Sequence, residues 1–163
     1  MGTWVAGLAT VGASVVALRL ARRAERIQLK VHVGLREVLA GDGSPAHDHV
    51  CIDVTNLGDR AVTVNTVGWA VGKGKHRKYC IQPESGPYTN HYPIELGHGK
   101  SAKFMVSLDV MPNWVPDFAL RFIGDLSDRN LRTLVAQIHT SVGTTIEVKP
   151  EGGLLDRLRA QRT

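Results

Sequence analysis

Apolar and polar residues follow two different patterns along the chain, and the pattern changes at residue 27. Residues 1–18 contain no charged side chain. At about 1.5 Å per residue, a helix of that length approaches the roughly 30 Å hydrocarbon core of a bilayer. From Ile27 to Arg36, apolar side chains alternate with polar ones, which is typical of a half-buried strand. The sequence therefore predicts an apolar helix over 1–26, a β domain over 27–149 and a short basic C-terminal segment over 150–163.

Further strands are predicted after residue 36, separated by turns rich in Gly, Asn and Asp. They are Val50–Val54, Ala61–Val71, Lys78–Gln82, Lys100–Leu108, Asp117–Ile123, Leu131–Thr140 and Thr144–Val148. Short strands at close intervals, with no helical pattern between them, are typical of an all-β antiparallel sandwich. The residues after Gly153 predict a short helix, which needs a surface to dock on because about ten residues are marginally helical alone.

Two turn motifs resemble those of immunoglobulin-like domains. Residues Val54–Val64 follow the pattern of a hairpin built on an Asn and a Gly, and Pro93–Ser101 follow that of a Pro, Leu, Gly and Ser turn before a strand. On these motifs the chain resembles small bacterial and phage proteins that join one N-terminal membrane helix to an immunoglobulin-like β-sandwich. The resemblance covers residues 27–148 and implies the fold, but it brings no catalytic residue with it.

The segment 1–26 has the features of a membrane anchor. Trp4 lies where an interfacial aromatic residue is expected, and a group of arginines follows the apolar stretch: Arg19, Arg22, Arg23 and Arg26. Positive charge after the apolar stretch, and not before it, argues against a cleavable signal peptide and predicts a cytoplasmic C-terminal domain. Small residues recur at every fourth position, a spacing that lets helices approach closely: Ala9, Ala13 and Ala17. The alternative is a helix packed against other protein subunits, and either case is compatible with a homo-oligomer formed through this helix.

The net charge of +5 is concentrated in three segments, and the rest of the chain is net acidic. One segment follows the apolar stretch, and the others hold Lys73, Lys75, Arg77 and Lys78, and Arg157 and Arg159. Such a distribution does not favour nucleic-acid binding, which is typical of a continuous basic face. It favours contact with anionic lipid headgroups or with an acidic partner. Beside the C-terminal arginines, Leu154 and Leu158 are predicted to insert shallowly into lipid.

No catalytic, cofactor or metal signature is complete in the sequence. Gly99-Lys100-Ser101 ends like a phosphate-binding loop, but Ile94 stands where that loop requires Gly, and a strand pattern follows. His47 and His49 share one side of an extended segment without further ligands at metal-binding spacing. We therefore expect a protein that is not an enzyme and holds neither cofactor nor metal. Its two cysteines, Cys51 and Cys80, are expected to be free thiols in the cytoplasm.

Two functions from different classes follow from these features. In the first, the protein is a membrane-anchored module that faces the cytoplasm and binds or scaffolds a protein partner without catalysis. In the second, it is a structural subunit of a virion, a secretion apparatus or another soluble assembly, and its apolar helix packs against other subunits. The two differ in whether the full-length chain requires detergent to stay in solution.

Overall fold

Two antiparallel β-sheets form most of the fold in the computed structural model of the protein, which describes residues 27–39, 41 and 46–162. The strands are β1 (Leu29–Val38), β2 (His47–Asn56), β3 (Val62–Val71), β4 (Lys78–Ile81), β5 (Ile94–Leu96), β6 (Ser101–Ser107), β7 (Val135–Thr140) and β8 (Thr145–Val148). In the first sheet β2 lies between β1 and β6, and in the second the order is β4-β3-β7-β8, with β5 paired to the first residues of β3. The predicted mostly β architecture is confirmed.

The two sheets share one hydrophobic core. Alternation along β2 places Val50, Ile52 and Val54 on the inner face of the first sheet, and all three are fully buried. They belong to the same cluster as Trp69 and Ile138 of the second sheet. Because each fully buried aliphatic or aromatic side chain contributes about 1.5–3 kcal/mol, this shared core holds the sheets together.

A helical segment replaces one of the predicted strands. Residues Asp117–Ile123 were expected to be extended, but α1 (Trp114–Asp117) continues directly into a π-helical stretch, Phe118–Ile123. The reason lies in aromatic side chains at every fourth position. The Trp114 and Phe118 rings stack with centroids 4.5 Å apart, and Phe118 and Phe122 follow at 5.1 Å. A spacing of four residues places neighbours on one helix face, so the predicted strand was wrong.

A second short helix delays the start of the next strand. The strand predicted over Leu131–Thr140 begins at Val135, because α2 (Asp128–Leu131) comes first. Ser127 caps this helix by accepting a hydrogen bond from the Asn130 N–H at 3.3 Å. The sequence Asp125–Asp128 therefore leads into a capped helix and not into a hairpin turn.

The motif at Val54–Val64 connects the two sheets and does not form a hairpin, since β2 and β3 belong to different sheets. Asn56 organises this connection from a fully buried position. Its Nδ2 donates to the backbone oxygens of Arg60 and Leu96, both at 2.8 Å, and its Oδ1 accepts from the Gly58 N–H at 2.9 Å. The Asn56 side chain thus holds together the crossover between the sheets.

The strand directions define two ends of the fold. The Leu57 N–H donates to the Gln28 oxygen at 2.7 Å, so the chain enters the fold beside the crossover. From there β3 runs for ten residues, or about 30 Å at 3.3 Å per residue. The loop that follows Val71 therefore lies at the end of the fold opposite to residue 27.

A C-terminal helix, α3 (Gly152–Arg159), docks on the domain as its sequence requires. Leu154 and Leu158 are both fully buried in the shared core. At the helix start, the Glu151 N–H donates to the Val33 oxygen at 2.8 Å, and the Glu151 carboxylate pairs with both terminal nitrogens of Arg36. The predicted insertion of these leucines into lipid is therefore wrong, because the core of the domain already buries them.

Candidate binding cleft

The basic loop between β3 and β4 is a hairpin tip, and it joins the strands predicted over Ala61–Val71 and Lys78–Gln82. It contains a single 3-10 turn, Gly74–His76, and β3 and β4 pair in antiparallel register on either side of it. Gly72 has a φ of +90°, and a Cβ at this position would lie 2.8 Å from the His76 oxygen. Glycine is therefore required at Gly72, and the tip has a defined shape.

Two of the four basic side chains at the tip are used within the fold. Arg77 pairs with Glu147 at 2.6 Å and lies 5.5 Å from the Tyr79 ring centroid. Lys78 Nζ donates to the Phe122 oxygen at 3.1 Å, at the end of the π-helical stretch. Hydrogen bonds from Arg77 and Gln137 hold the pKa of the Glu147 carboxyl below its usual value. Lys73 and Lys75 have no such partner among the described residues.

The basic residues of the C-terminal helix are largely neutralised by carboxylates. Arg159 pairs with Asp156 at 2.6 Å and with Asp128 at 3.1 Å, and Arg157 approaches Asp48 at 3.9 Å. Hydrogen bonds from two arginines lower the pKa of Asp128, so this carboxylate stays charged. The two predicted basic surfaces therefore differ, since the tip keeps unpaired charge and the tail does not.

The loop before α2 lies beside the tip and is held by its own polar side chains. Asp125 accepts hydrogen bonds from the Ser127 N–H at 2.9 Å and from the Ser127 hydroxyl at 3.0 Å, which lower the pKa of its carboxyl. Thr133 connects this loop to the tip, because its Oγ1 accepts from the Gly72 N–H at 2.8 Å and donates to the Asn130 oxygen at 2.6 Å.

A cleft of about 530 Å³ opens between the tip and the α2 region. Its lining consists of Gly72, Lys73, His76, Asp125, Arg129, Asn130 and Thr133. Lys73 and Arg129 are exposed, and neither forms an ion pair with another described residue. The cleft therefore presents an ammonium, a guanidinium and an imidazole around a polar floor.

The sequence predicted part of this cleft and missed the rest. Lys73 belongs to the predicted basic surface, and His76 lies in the same loop. Arg129 was missed because residues 124–130 were expected only to connect the strands predicted over Asp117–Ile123 and Leu131–Thr140. A capping pattern, Ser127 followed by an acidic first turn, was the signal that a helix would orient Arg129.

Two further depressions with mainly apolar walls lie on the described surface. One is an open groove of about 630 Å³ beside the aromatic face of Trp114, Phe118 and Phe122. The other, of about 510 Å³, lies on the outer face of the second sheet, where Tyr79 and Ile81 are 63% and 68% exposed. Both have more apolar walls than the cleft at the tip.

His47, His49 and the phosphate-loop-like sequence make contacts within the fold. His47 Nδ1 lies 2.6 Å from an Asp109 carboxylate oxygen, and His49 Nδ1 lies 2.9 Å from the His47 backbone oxygen. Within the described ranges, no group of three or more His, Cys, Asp or Glu side chains is arranged to hold a metal ion. Ser101 begins β6, so a strand follows the Gly99-Lys100-Ser101 turn, as its sequence predicts.

The predicted anchor residues lie outside the described residues. They are Trp4, Ala9, Ala13, Ala17, Arg19, Arg22, Arg23 and Arg26. Among the helices of the described part, none has the length and apolar character needed to cross a bilayer.

No family model and no curated protein matches the chain. Among solved structures, a Bordetella pertussis protein provisionally named ApaA is 12% identical over 77% of this chain and 89% of that chain, with a TM-score of 0.35. A second structural-genomics target, solved by X-ray crystallography, is 9% identical over 77% of this chain and 81% of its own, with a TM-score of 0.29. At these TM-scores, neither likeness bears on the function.

Proposed function

We propose that the protein is a non-catalytic binding module with an immunoglobulin-like domain, tethered to a membrane by residues 1–26 and facing the cytoplasm. Its binding surface is the basic end of the fold, formed by the tip and the cleft beside it. The observation that carries the proposal is the position of Lys73, Lys75 and Arg129 at the end opposite to residue 27, where none of them pairs with a carboxylate of the described residues.

The distance between the two ends bears on which partner the module binds. Residue 27 and the tip are separated by the length of β3, about 30 Å, whereas charges in physiological salt are screened over about 8 Å. A tip at that distance from a tether at residue 27 is screened from the headgroups of the anchoring membrane. We therefore assign the tip to an acidic partner in solution and not to the membrane lipids.

The tether is tested by deletion. Removal of residues 1–26 should release the domain from the membrane fraction and leave it folded, because the described residues of both sheets already share one hydrophobic core. Loss of cooperative unfolding in the shortened chain would show that the segment belongs to the core instead.

The binding end is tested with an acidic probe. The full chain, placed in nanodiscs of zwitterionic lipid, should bind fluorescein-labelled hexaglutamate in a salt-sensitive manner. Reversal of charge in K73E/K75E should abolish this binding. The matched control is R60E/K100E, which reverses two exposed charges at the crossover end. Equal losses in both double variants would mean that net charge, and not the basic end, attracts the probe.

A structural subunit is the second candidate, and exposed apolar side chains favour it. Tyr79 and Ile81 on the second sheet and Val110 beside the aromatic groove are all more than 60% exposed. Large exposed apolar side chains grouped on a surface are typical of protein contacts. If the full chain forms a defined oligomer without detergent, this candidate replaces the first.

A further inference from the structure

We infer that the cleft binds the phosphate group of a small phosphorylated polyol. This inference rests on the proposed function and names the ligand class that the basic end recognises. The cleft is defined by Lys73 and His76 on the tip and by Asp125, Arg129 and Asn130 on the opposite wall.

The cations of the cleft match a phosphate group. A guanidinium donates two parallel hydrogen bonds to a phosphate, and an ammonium adds a compact positive charge. Arg129 and Lys73 supply these two groups from opposite walls, and the His76 imidazole adds a third nitrogen donor. Two neighbouring arginines are already paired, since Arg77 pairs with Glu147 and Arg159 with Asp128 and Asp156.

The polar groups of the cleft match hydroxyls. A carboxylate accepts about four hydrogen bonds, and Ser127 supplies two to Asp125, so two remain for ligand hydroxyls. The Asn130 Nδ2 donates to the Asp125 backbone oxygen at 2.7 Å, which leaves its Oδ1 able to accept. The negative charge of Asp125 also disfavours a polyanion such as nucleic acid.

The size and rigidity of the cleft fit a small ligand. Its volume of about 530 Å³ lies within the roughly 300–1,000 Å³ of small-molecule sites. The hydrogen bond from Gly72 to Thr133 fixes one wall to the other. Little ordering of the backbone is then needed on binding, and a preorganised site loses less entropy.

The test is isothermal titration of the full chain in zwitterionic nanodiscs with three probes: glycerol 3-phosphate, inorganic phosphate and glycerol. We expect glycerol 3-phosphate to bind tightest, inorganic phosphate more weakly and glycerol not measurably. Arg129→Gln should raise the Kd of glycerol 3-phosphate and of inorganic phosphate at least tenfold. Lys100→Gln removes an equal charge from an exposed position at the crossover end, away from the binding surface, and should change the Kd less than threefold. Asp125→Asn should lower the Kd of inorganic phosphate and so reduce the preference of the cleft for glycerol 3-phosphate over inorganic phosphate.

Failure of this inference is distinct from failure of the proposed function. If hexaglutamate binds and neither phosphate does, the phosphate inference is wrong and the proposed function stands. Equal weakening by Arg129→Gln and Lys100→Gln would also overturn the inference. In a further arm, vesicles containing phosphatidic acid should not bind through the cleft. If Arg129→Gln abolishes binding to these vesicles, the phosphate that the cleft binds belongs to a lipid headgroup, and the inference of a soluble ligand is wrong. A loss of binding is interpreted only for variants whose Tm equals that of the parent chain, so that unfolding is not mistaken for lost binding.

Discussion

Replacement of Asn56 by Ala should destabilise the protein more than any change on its surface. The substitution removes three hydrogen bonds, two donated by Nδ2 to backbone oxygens and one accepted from Gly58. Each such bond contributes about 1 kcal/mol net, and a carbonyl left unpaired in the interior costs about 1–3 kcal/mol. We therefore expect the free energy of unfolding to fall by about 3–5 kcal/mol, out of the roughly 5–15 kcal/mol typical of a domain.

The assay is equilibrium unfolding in urea, followed by tryptophan fluorescence, to which the buried Trp69 and Trp114 contribute. The matched control is Asn65→Ala, because Asn65 is an exposed residue of β3 and its loss should change the free energy of unfolding by less than about 0.5 kcal/mol. Asn56→Asp keeps the acceptor but removes both donors, so it should cost at least as much as Asn56→Ala. A cost below about 1 kcal/mol for Asn56→Ala would refute the role assigned to this side chain.

Three further changes test the packing and the charges. Leu158→Ala should lower the free energy of unfolding by about 2–5 kcal/mol, since that side chain is fully buried, whereas Leu120→Ala, at a half-exposed position, should have little effect. Glu147→Gln should cost less than about 1 kcal/mol at pH 7, as for an exposed ion pair. The folded pKa of Glu147 is lowered from 4.5, so the stability that its charged form contributes is fully present above pH 4.5. That stability is lost as the pH falls through the folded pKa. The difference in free energy of unfolding between the Glu147→Gln chain and the parent chain should therefore disappear in acid. Burial raises the pKa of the Cys51 and Cys80 thiols to about 11. A thiol reagent should therefore label the native chain much more slowly than the unfolded chain. The rate of labelling of the native chain should increase above pH 9.

The sheets were predictable from sequence where alternation is strong. The predicted bounds of β2 and β3 lie within a few residues of the observed bounds, because a period of two along a half-buried strand is a local signal. The strand β5 was missed since its three residues, Ile94–Leu96, are too few to show a period. Its pairing with β3 is a tertiary contact that no local pattern contains.

The helical region Trp114–Ile123 shows why the pattern of a few neighbouring residues does not distinguish a strand from a helix. The run from Asp117 to Ile123 is apolar and short, and such a run suits a buried strand or a buried helix equally well. Aromatic stacking along Trp114, Phe118 and Phe122 decides in favour of the helix. The candidate cleft was half predictable for a similar reason, because the basic tip is contiguous in sequence, whereas Arg129 reaches it only through the fold.

The hydrogen bond from Gly72 to Thr133 joins positions 61 residues apart along the chain. Its two ends come together only in the native state, so anything that occupies the cleft binds the native chain and not the unfolded one. Occupancy must therefore shift the folding equilibrium, by about 2.7 kcal/mol for a ligand present at one hundred times its Kd. A melting curve recorded with and without a candidate compound thus detects binding to the native chain without any label, and a shift in Tm that Arg129→Gln removes assigns that binding to the cleft.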